Sequence, residues 1–360
     1  KNSSKELKLT VDTEIQFLVR NELKKFNSIF QTKGSTSILM NIHSGEILSL
    51  VSLPDFDLNK REKITDKNFI NRATKGVYEF GSVFKTFTIA AALNENIIET
   101  NSMFTNLEKK IKCGKFIINE YDEEMPTDLT VEEILIRSGN IGSVRIGQKL
   151  GIDKLKNFFK RIGILETLKF DIEEIGNPIS FNWGKCKLAT VSYGHGITTT
   201  PLQLAKGYAI VTNGGFKVEP TIIKKELVRK SERILKPNIS KKINEILRKV
   251  VTSKEGTANF ANIKGYEVGG KTGTAQKTMS GGYSKNKVNT FAAVFPASKP
   301  VFTLIVLLDE PKTNKDYIYE YRDGSGLKYK GTPFNTAGWT SVEVAGQIIE
   351  KIGPILATKY

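Results

Sequence analysis

Apolar residues fall at helical spacing in "DTEIQFLVRNELKKF" (12–26), where Ile15, Leu18, Val19, Leu23 and Phe26 share a face. With Asp12 or Thr13 as cap, this predicts an amphipathic helix. The pattern then shifts. "STSILMNIHSGEILSLVSL" (35–53) holds two Ile/Leu/Val-rich runs around "HSGE" and predicts a β-hairpin with His43 at its turn. Residues 54–81 show little periodicity and read as loop. From Ser82, "VFKTFTIAAAL" is apolar on most sides, as expected of a buried central helix.

A second loop-rich stretch covers 101–129. "TVEEILIRSGN" opens on a capping box, Thr130 with Glu133, and Gly139 lies where that helix should stop. Further helices are predicted near 141–150, 153–162, 201–212 and 240–250. Thr200-Pro201 starts the third of these and Asn213-Gly214-Gly215 ends it. The last third reads as three strands, at 266–276, 289–297 and 300–311, with loops at 277–288 and 312–337 and a closing amphipathic helix at 341–352. The N-terminal hairpin and C-terminal strands are expected to share one mainly antiparallel sheet. A largely helical block is then inserted between them, an α+β class.

Composition adds limits. The 360 residues are 39% hydrophobic and 26% charged, an ordinary globular balance. No apolar stretch reaches the roughly 18 residues of a membrane span, and no signal peptide is visible. Residue 1 is Lys, so a fragment or processed form is expected. The net charge of +16 is scattered, without a nucleic-acid motif. It reads mainly as a solvated surface, with attraction to an anionic polymer as a secondary effect. Two cysteines, Cys113 and Cys186, and two histidines, His43 and His195, lack metal-site spacing. No metal or cofactor is expected. Each cysteine reads as a small buried hydrophobe, and their pairing stays open.

Ser-x-x-Lys occurs three times, at Ser82–Lys85, Ser284–Lys287 and Ser325–Lys328. Only the first opens a buried helix, where positions i and i+3 share a face and burial lowers a lysine's pKa into the range of a base. Ser-x-Asn occurs at Ser138–Asn140, Ser180–Asn182 and Ser284–Asn286, and only the first follows a capped helix. Lys271-Thr272-Gly273 is unique, on a strand after Gly269 and Gly270. Plainer readings exist for each: an N-cap for Ser82, a surface charge for Lys85, a helix-end turn for Ser138 and Asn140, and a sheet edge for Lys271 and Thr272. His195, in "GHG", reads as a structural or cleft-lining residue, because Lys85 already fills the place of a base.

The order Ser-x-x-Lys, Ser-x-Asn, Lys-Thr-Gly is the set of penicillin-binding proteins and serine β-lactamases. The resemblance extends to "LTVDTEIQ" (9–16), "SGEILSLVSLPDFDLN" (44–59), "NRATKGVYEFGSVFK" (71–85), "SYGHGITTTPLQLAKGYAIVTNGG" (192–215), "VVTSKEGTA" (250–258), "GGKTGTAQ" (269–276) and "FNTAGWTSVEVAGQII" (334–349). The chain resembles the transpeptidase domain of a class B penicillin-binding protein, most closely the division-specific, septal type. Phe80 stands where that family usually has proline, and Gly139 where serine is common.

The resemblance implies a penicillin-binding/β-lactamase-like fold over residues 1–360 and a peptidoglycan D,D-transpeptidase acting through a serine acyl-enzyme. Ser82 is the implied nucleophile, Lys85 its base, Ser138 a proton relay tuned by Lys271, and Asn140 a substrate-amide ligand. Thr272, Gly273 and Thr274 are the implied carboxylate-binding strand, with the N–H groups of Ser82 and Thr274 as oxyanion hole. The implied partners are D-Ala-D-Ala stem peptides, β-lactam antibiotics, a glycan polymerase and division proteins. The implied setting is the outer side of the plasma membrane, by way of an N-terminal helix and pedestal beyond these residues. A β-lactam sensor, a D,D-carboxypeptidase and a serine β-lactamase are the alternatives. No convincing deacylating Glu follows Ser138–Asn140.

Overall fold

A computed structural model describes residues 6–57, 59, 69–114, 116–225, 231–279 and 282–360. The predicted first helix is α1 (Thr13–Ile29), capped by the Asp12 carboxylate on the N–H groups of Glu14 and Ile15. Strands β1 (Gly34–Asn41) and β2 (Ile47–Leu53) pair antiparallel as the expected hairpin. The C-terminal strands are β7 (Gly269–Met279), β8 (Gly282–Phe295) and β9 (Phe302–Asp309). All five make one antiparallel sheet in the order β2-β1-β9-β8-β7, so the two chain ends share a sheet and β7 is an edge.

Every residue of β9 is buried, which requires cover on both faces. Helices α1 and α9 (Ser341–Lys359) pack on each other and on the sheet, and so do α7 (Pro201–Thr212) and α8 (Pro237–Thr252). The expected capping box at Thr130 forms at the start of α3 (Val131–Ile136), and the helix start expected at Thr200-Pro201 begins α7, with a capping box between Thr200 and Gln203 as well. The inserted helical block also holds α2 (Lys85–Asn94), α4 (Asn140–Leu150), α5 (Ile152–Arg161) and α6 (Lys185–Val191).

Three stretches expected as loops carry strands. Residues 101–129 carry the short strands β3 (Met103–Phe104), β4 (Lys110–Cys113), β5 (Phe116–Asn119) and β6 (Leu129–Thr130), and β4 pairs with β5 as a hairpin. Residues 277–288 are mostly strand, because β7 and β8 extend past the sheet as a two-stranded ribbon. A disulfide joins Cys113 of β4 to Cys186 of α6 and ties the β4–β5 hairpin to the helical block. The loop expected at 312–337 likewise holds a two-stranded ribbon, β10 (Ile318–Glu320) with β11 (Lys328–Lys330).

Candidate active site

Ser82 lies second in a 3-10 turn, Gly81–Phe84, that runs straight into α2. Phe80 occupies the N-cap place and no side chain caps the turn, so the capping explanation for this serine fails. Phe80 has φ −105°, outside the window of about −65 ± 15° that proline requires. Its fully buried ring packs edge-on against Tyr78 at 6.1 Å and anchors the turn by packing instead. Two neighbouring backbones press on this turn. A Cβ on Gly273 of β7 would lie 2.1 Å from the Phe80 carbonyl oxygen, and one on Gly194 1.9 Å from that of Gly81. Only glycine permits either approach. The turn is thus wedged between the edge of β7 and the Gly194 loop, with Ser82 half-buried.

Lys85, the first residue of α2, is wholly buried. Its Nζ donates to the Ser138 carbonyl, to Asn140 Oδ1 at 2.7 Å and to Ser138 Oγ at 3.3 Å. None of its hydrogen bonds goes to the Ser82 hydroxyl. In the resting arrangement the amine rests on the Ser-x-Asn turn, and unliganded sites commonly tighten such contacts only with substrate. Burial brings the Lys85 amine down to about 7, and the negative charge of Glu120 opposes that fall. Lys271 is also fully buried, and its Nζ reaches the same Ser138 Oγ at 2.7 Å. Burial, and then the charge of Lys85, hold Lys271 well below the ordinary lysine range. Two amines thus converge on one hydroxyl. Ser138 itself sits at φ +62°, a left-handed conformation costly for a residue with a Cβ and typical of functional turns.

The Lys-Thr-Gly-Thr run lies on the edge strand β7. Thr274 Oγ1 accepts the Ala337 N–H at 2.9 Å, which leaves its own proton to donate elsewhere. Thr272 Oγ1 shares one proton with Thr257 Oγ1 at 2.7 Å. Asn140 Nδ2 donates to the Asn119 carbonyl at 2.9 Å and keeps a second N–H. The other two Ser-x-x-Lys pairs lack any such setting. The Ser284 and Ser325 hydroxyls accept N–H groups of their own turns, at 3.1 and 3.3 Å. Lys287 donates to the Asn335 carbonyl, and Lys328 lies 3.7 Å from Glu320.

The family model for the penicillin-binding protein transpeptidase domain matches residues 35–325. The chain belongs to this family. It is 32% identical to the probable peptidoglycan D,D-transpeptidase FtsI of Caulobacter vibrioides, over 98% of this chain and 59% of that protein. It is also 32% identical to stage V sporulation protein D of Bacillus subtilis, over 85% of this chain and 50% of that protein. The chain thus spans little more than half the length of these curated relatives. Among solved structures it superposes on the transpeptidase domain of Burkholderia pseudomallei penicillin-binding protein 3 with a TM-score of 0.83, at 25% identity, covering 98% and 97% of the two chains. The penicillin-binding, mainly antiparallel α+β fold read from the sequence is therefore the fold of this chain.

Within this transpeptidase fold, two functional-site neighbours escaped the sequence reading. Thr257 lies in "EGTA" and has no motif of its own beyond that resemblance. Glu120 lies in a stretch read as loop, and its contacts depend on the β4–β5 hairpin. His195 stands at the edge of the cleft rather than in the lysine cluster. Its ring is 4.5 Å from that of Tyr283 and 5.8 Å from that of Tyr193, and its Nδ1 is 3.7 Å from Glu79 Oε2. Burial lowers its pKa. This packing is compatible with the reading as a structural or cleft-lining residue.

Proposed function

We propose that residues 1–360 act as a peptidoglycan D,D-transpeptidase module in which Ser82 attacks the penultimate D-alanine carbonyl of a stem peptide. The observation that carries this reading is the Ser138 hydroxyl held between two buried amines, Lys271 at 2.7 Å and Lys85 at 3.3 Å. Lys85 in its neutral form takes the Ser82 proton as the Oγ–carbonyl bond forms. The oxyanion is held by the N–H groups of Ser82 and Thr274. Collapse breaks the peptide bond, and Ser138 relays the proton from Lys85 to the departing D-alanine nitrogen while Lys271 holds the relay in place. The second N–H of Asn140 takes a substrate carbonyl, and the edge of β7 pairs with the stem backbone beside Gly273. An amine from a neighbouring stem then attacks the ester, restoring Ser82 and forming a cross-link.

A class A β-lactamase releases its acyl group with a glutamate that activates water. Glu120 engages both its oxygens with the α4 amides, which favours transfer over a β-lactamase of that class. Resemblance to division-type relatives supports a septal role, with membrane attachment and a glycan-polymerase partner supplied by parts outside these residues. Among the described residues no helix is long and apolar enough to cross a membrane.

Penicillin should add one acyl mass that persists, and a chromogenic cephalosporin should be consumed once per protein. Fast steady-state hydrolysis would identify a β-lactamase instead. With a D-Ala-D-Ala peptide and an acceptor amine, the product should be the amide; the free acid alone would mark a carboxypeptidase.

The threonines define a further expectation. In this reading Thr272 and Thr274 donate to the terminal carboxylate of a stem peptide or of penicillin. Losing one such charge-assisted bond costs about 1.5–3 kcal/mol. Thr272→Val should therefore slow acylation by a carboxylate-bearing β-lactam roughly 10–100-fold. The esterified compound should react poorly with wild type and be nearly indifferent to the change. Equal losses for acid and ester would mean that Thr272 acts through Thr257 and strand shape.

A further inference from the structure

Helix α4 begins at Asn140, the third residue of the Ser-x-Asn motif, and its N-cap residue is Gly139, which has no side chain to cap with. The cap comes instead from Glu120, just beyond β5. Its Oε2 accepts the Asn140 N–H at 2.8 Å and its Oε1 accepts the Ile141 N–H at 2.7 Å. The preceding residue, Asn119, accepts from the Asn140 side chain through its carbonyl. Two consecutive residues at the end of the β4–β5 hairpin therefore hold both the main chain and the side chain of Asn140. The Cys113–Cys186 bridge fixes that hairpin to α6.

On its other side Asn140 accepts the Lys85 amine. The groups around that amine are few. Lys271 of β7 is the second buried amine and shares the Ser138 hydroxyl with it. Tyr208 of α7, bonded to Thr86 and to the Val83 carbonyl, is kept neutral by burial. From α5, the Phe159 ring packs on Phe84 and Phe87 and brings no charge. Glu120 is the anion acting on Lys85.

We propose that Glu120 is a positioning residue for acylation: it sets Asn140, and through it the Lys85 amine, while its negative charge acts on that same amine. The proposal rests on Ser82 and Lys85 being nucleophile and base. Two separable effects follow. The bidentate cap fixes geometry and governs the maximal rate. The charge stabilises protonated Lys85 and governs the pH at which the base becomes available.

The test is the second-order acylation rate by penicillin from pH 5 to 9, with the adduct mapped, for wild type, Glu120→Gln and Glu120→Asp. Glu120→Gln should lower the plateau about 10-fold, since small misplacements of a catalytic group cost up to about 10²-fold. It should also move the acid limb to lower pH, because removing an anion favours neutral Lys85. Glu120→Asp, which keeps the charge but shortens the reach, should lower the plateau and leave the limb where wild type has it. A limb unmoved in folded Glu120→Gln overturns the proposal, whatever happens to the plateau, since a purely structural cap would do that. If Glu120→Gln does not fold, a wild-type plateau in Glu120→Asp overturns it equally. Failure of the underlying reading is distinguishable: wild type would then carry no adduct at Ser82 at any pH.

Discussion

Ser82→Ala should leave a folded protein that takes up no penicillin. The hydroxyl caps no helix and the residue is only half-buried, so its removal should change stability by no more than about 0.5 kcal/mol. What is lost is the atom that forms the acyl bond. Neither of the other Ser-x-x-Lys serines can replace it, because each is committed to its own turn and its lysine is engaged elsewhere. Intact-protein mass after penicillin treatment should rise by one acyl group in wild type and by none in the variant. Peptide mapping should place the group on Ser82. An adduct on Ser284 or Ser325 would refute the assignment.

Lys85 should have the next largest effect. Lys85→Ala removes a positioned base, worth about 10²–10⁴-fold in acylation rate. Lys85→Arg keeps bulk and charge, yet should fare no better, because a guanidinium does not give up its proton near neutral pH. The sign of the pH dependence follows from burial. An amine lowered to about 7 is neutral above that pH and protonated below it. The wild-type rate should therefore fall as pH drops through about 7 and level off above it. The variants should lose this limb along with the rate. Near-normal acylation by the Arg form would show that Lys85 serves as a fixed charge.

The proposed site was legible because each member sits where local pattern is strong. The Thr130 capping box places the turn that carries Ser138, and the apolar run after Ser82 fixes α2 and buries Lys85. The sheet was legible from the apolar runs of β1, β2, β9 and the inner half of β8. What was missed follows one physical rule: the pattern fades where burial does. The outer half of β8 is largely exposed and the inner half wholly buried, so the ribbon beyond the sheet carries no apolar alternation and read as loop. Strands β3 to β6 are two to four residues long, too short for a period to appear. Helix α6, seven residues with three buried, gave no stripe. The resting partners of Lys85 were also illegible. Helix spacing pointed its amine at Ser82, whereas the amine lies against Ser138 and Asn140, more than fifty positions away.

The two backbone approaches onto the Phe80–Gly81 segment bear on how such a target can change under antibiotic selection. At Gly194 and Gly273 any added carbon meets main chain within about 2 Å, so neither position offers a tolerated route to altered drug discrimination. The support beneath Ser82, the proposed nucleophile, admits no side chain at these two positions. Under the proposed function, variation that alters drug discrimination is expected instead at more exposed positions such as Tyr283.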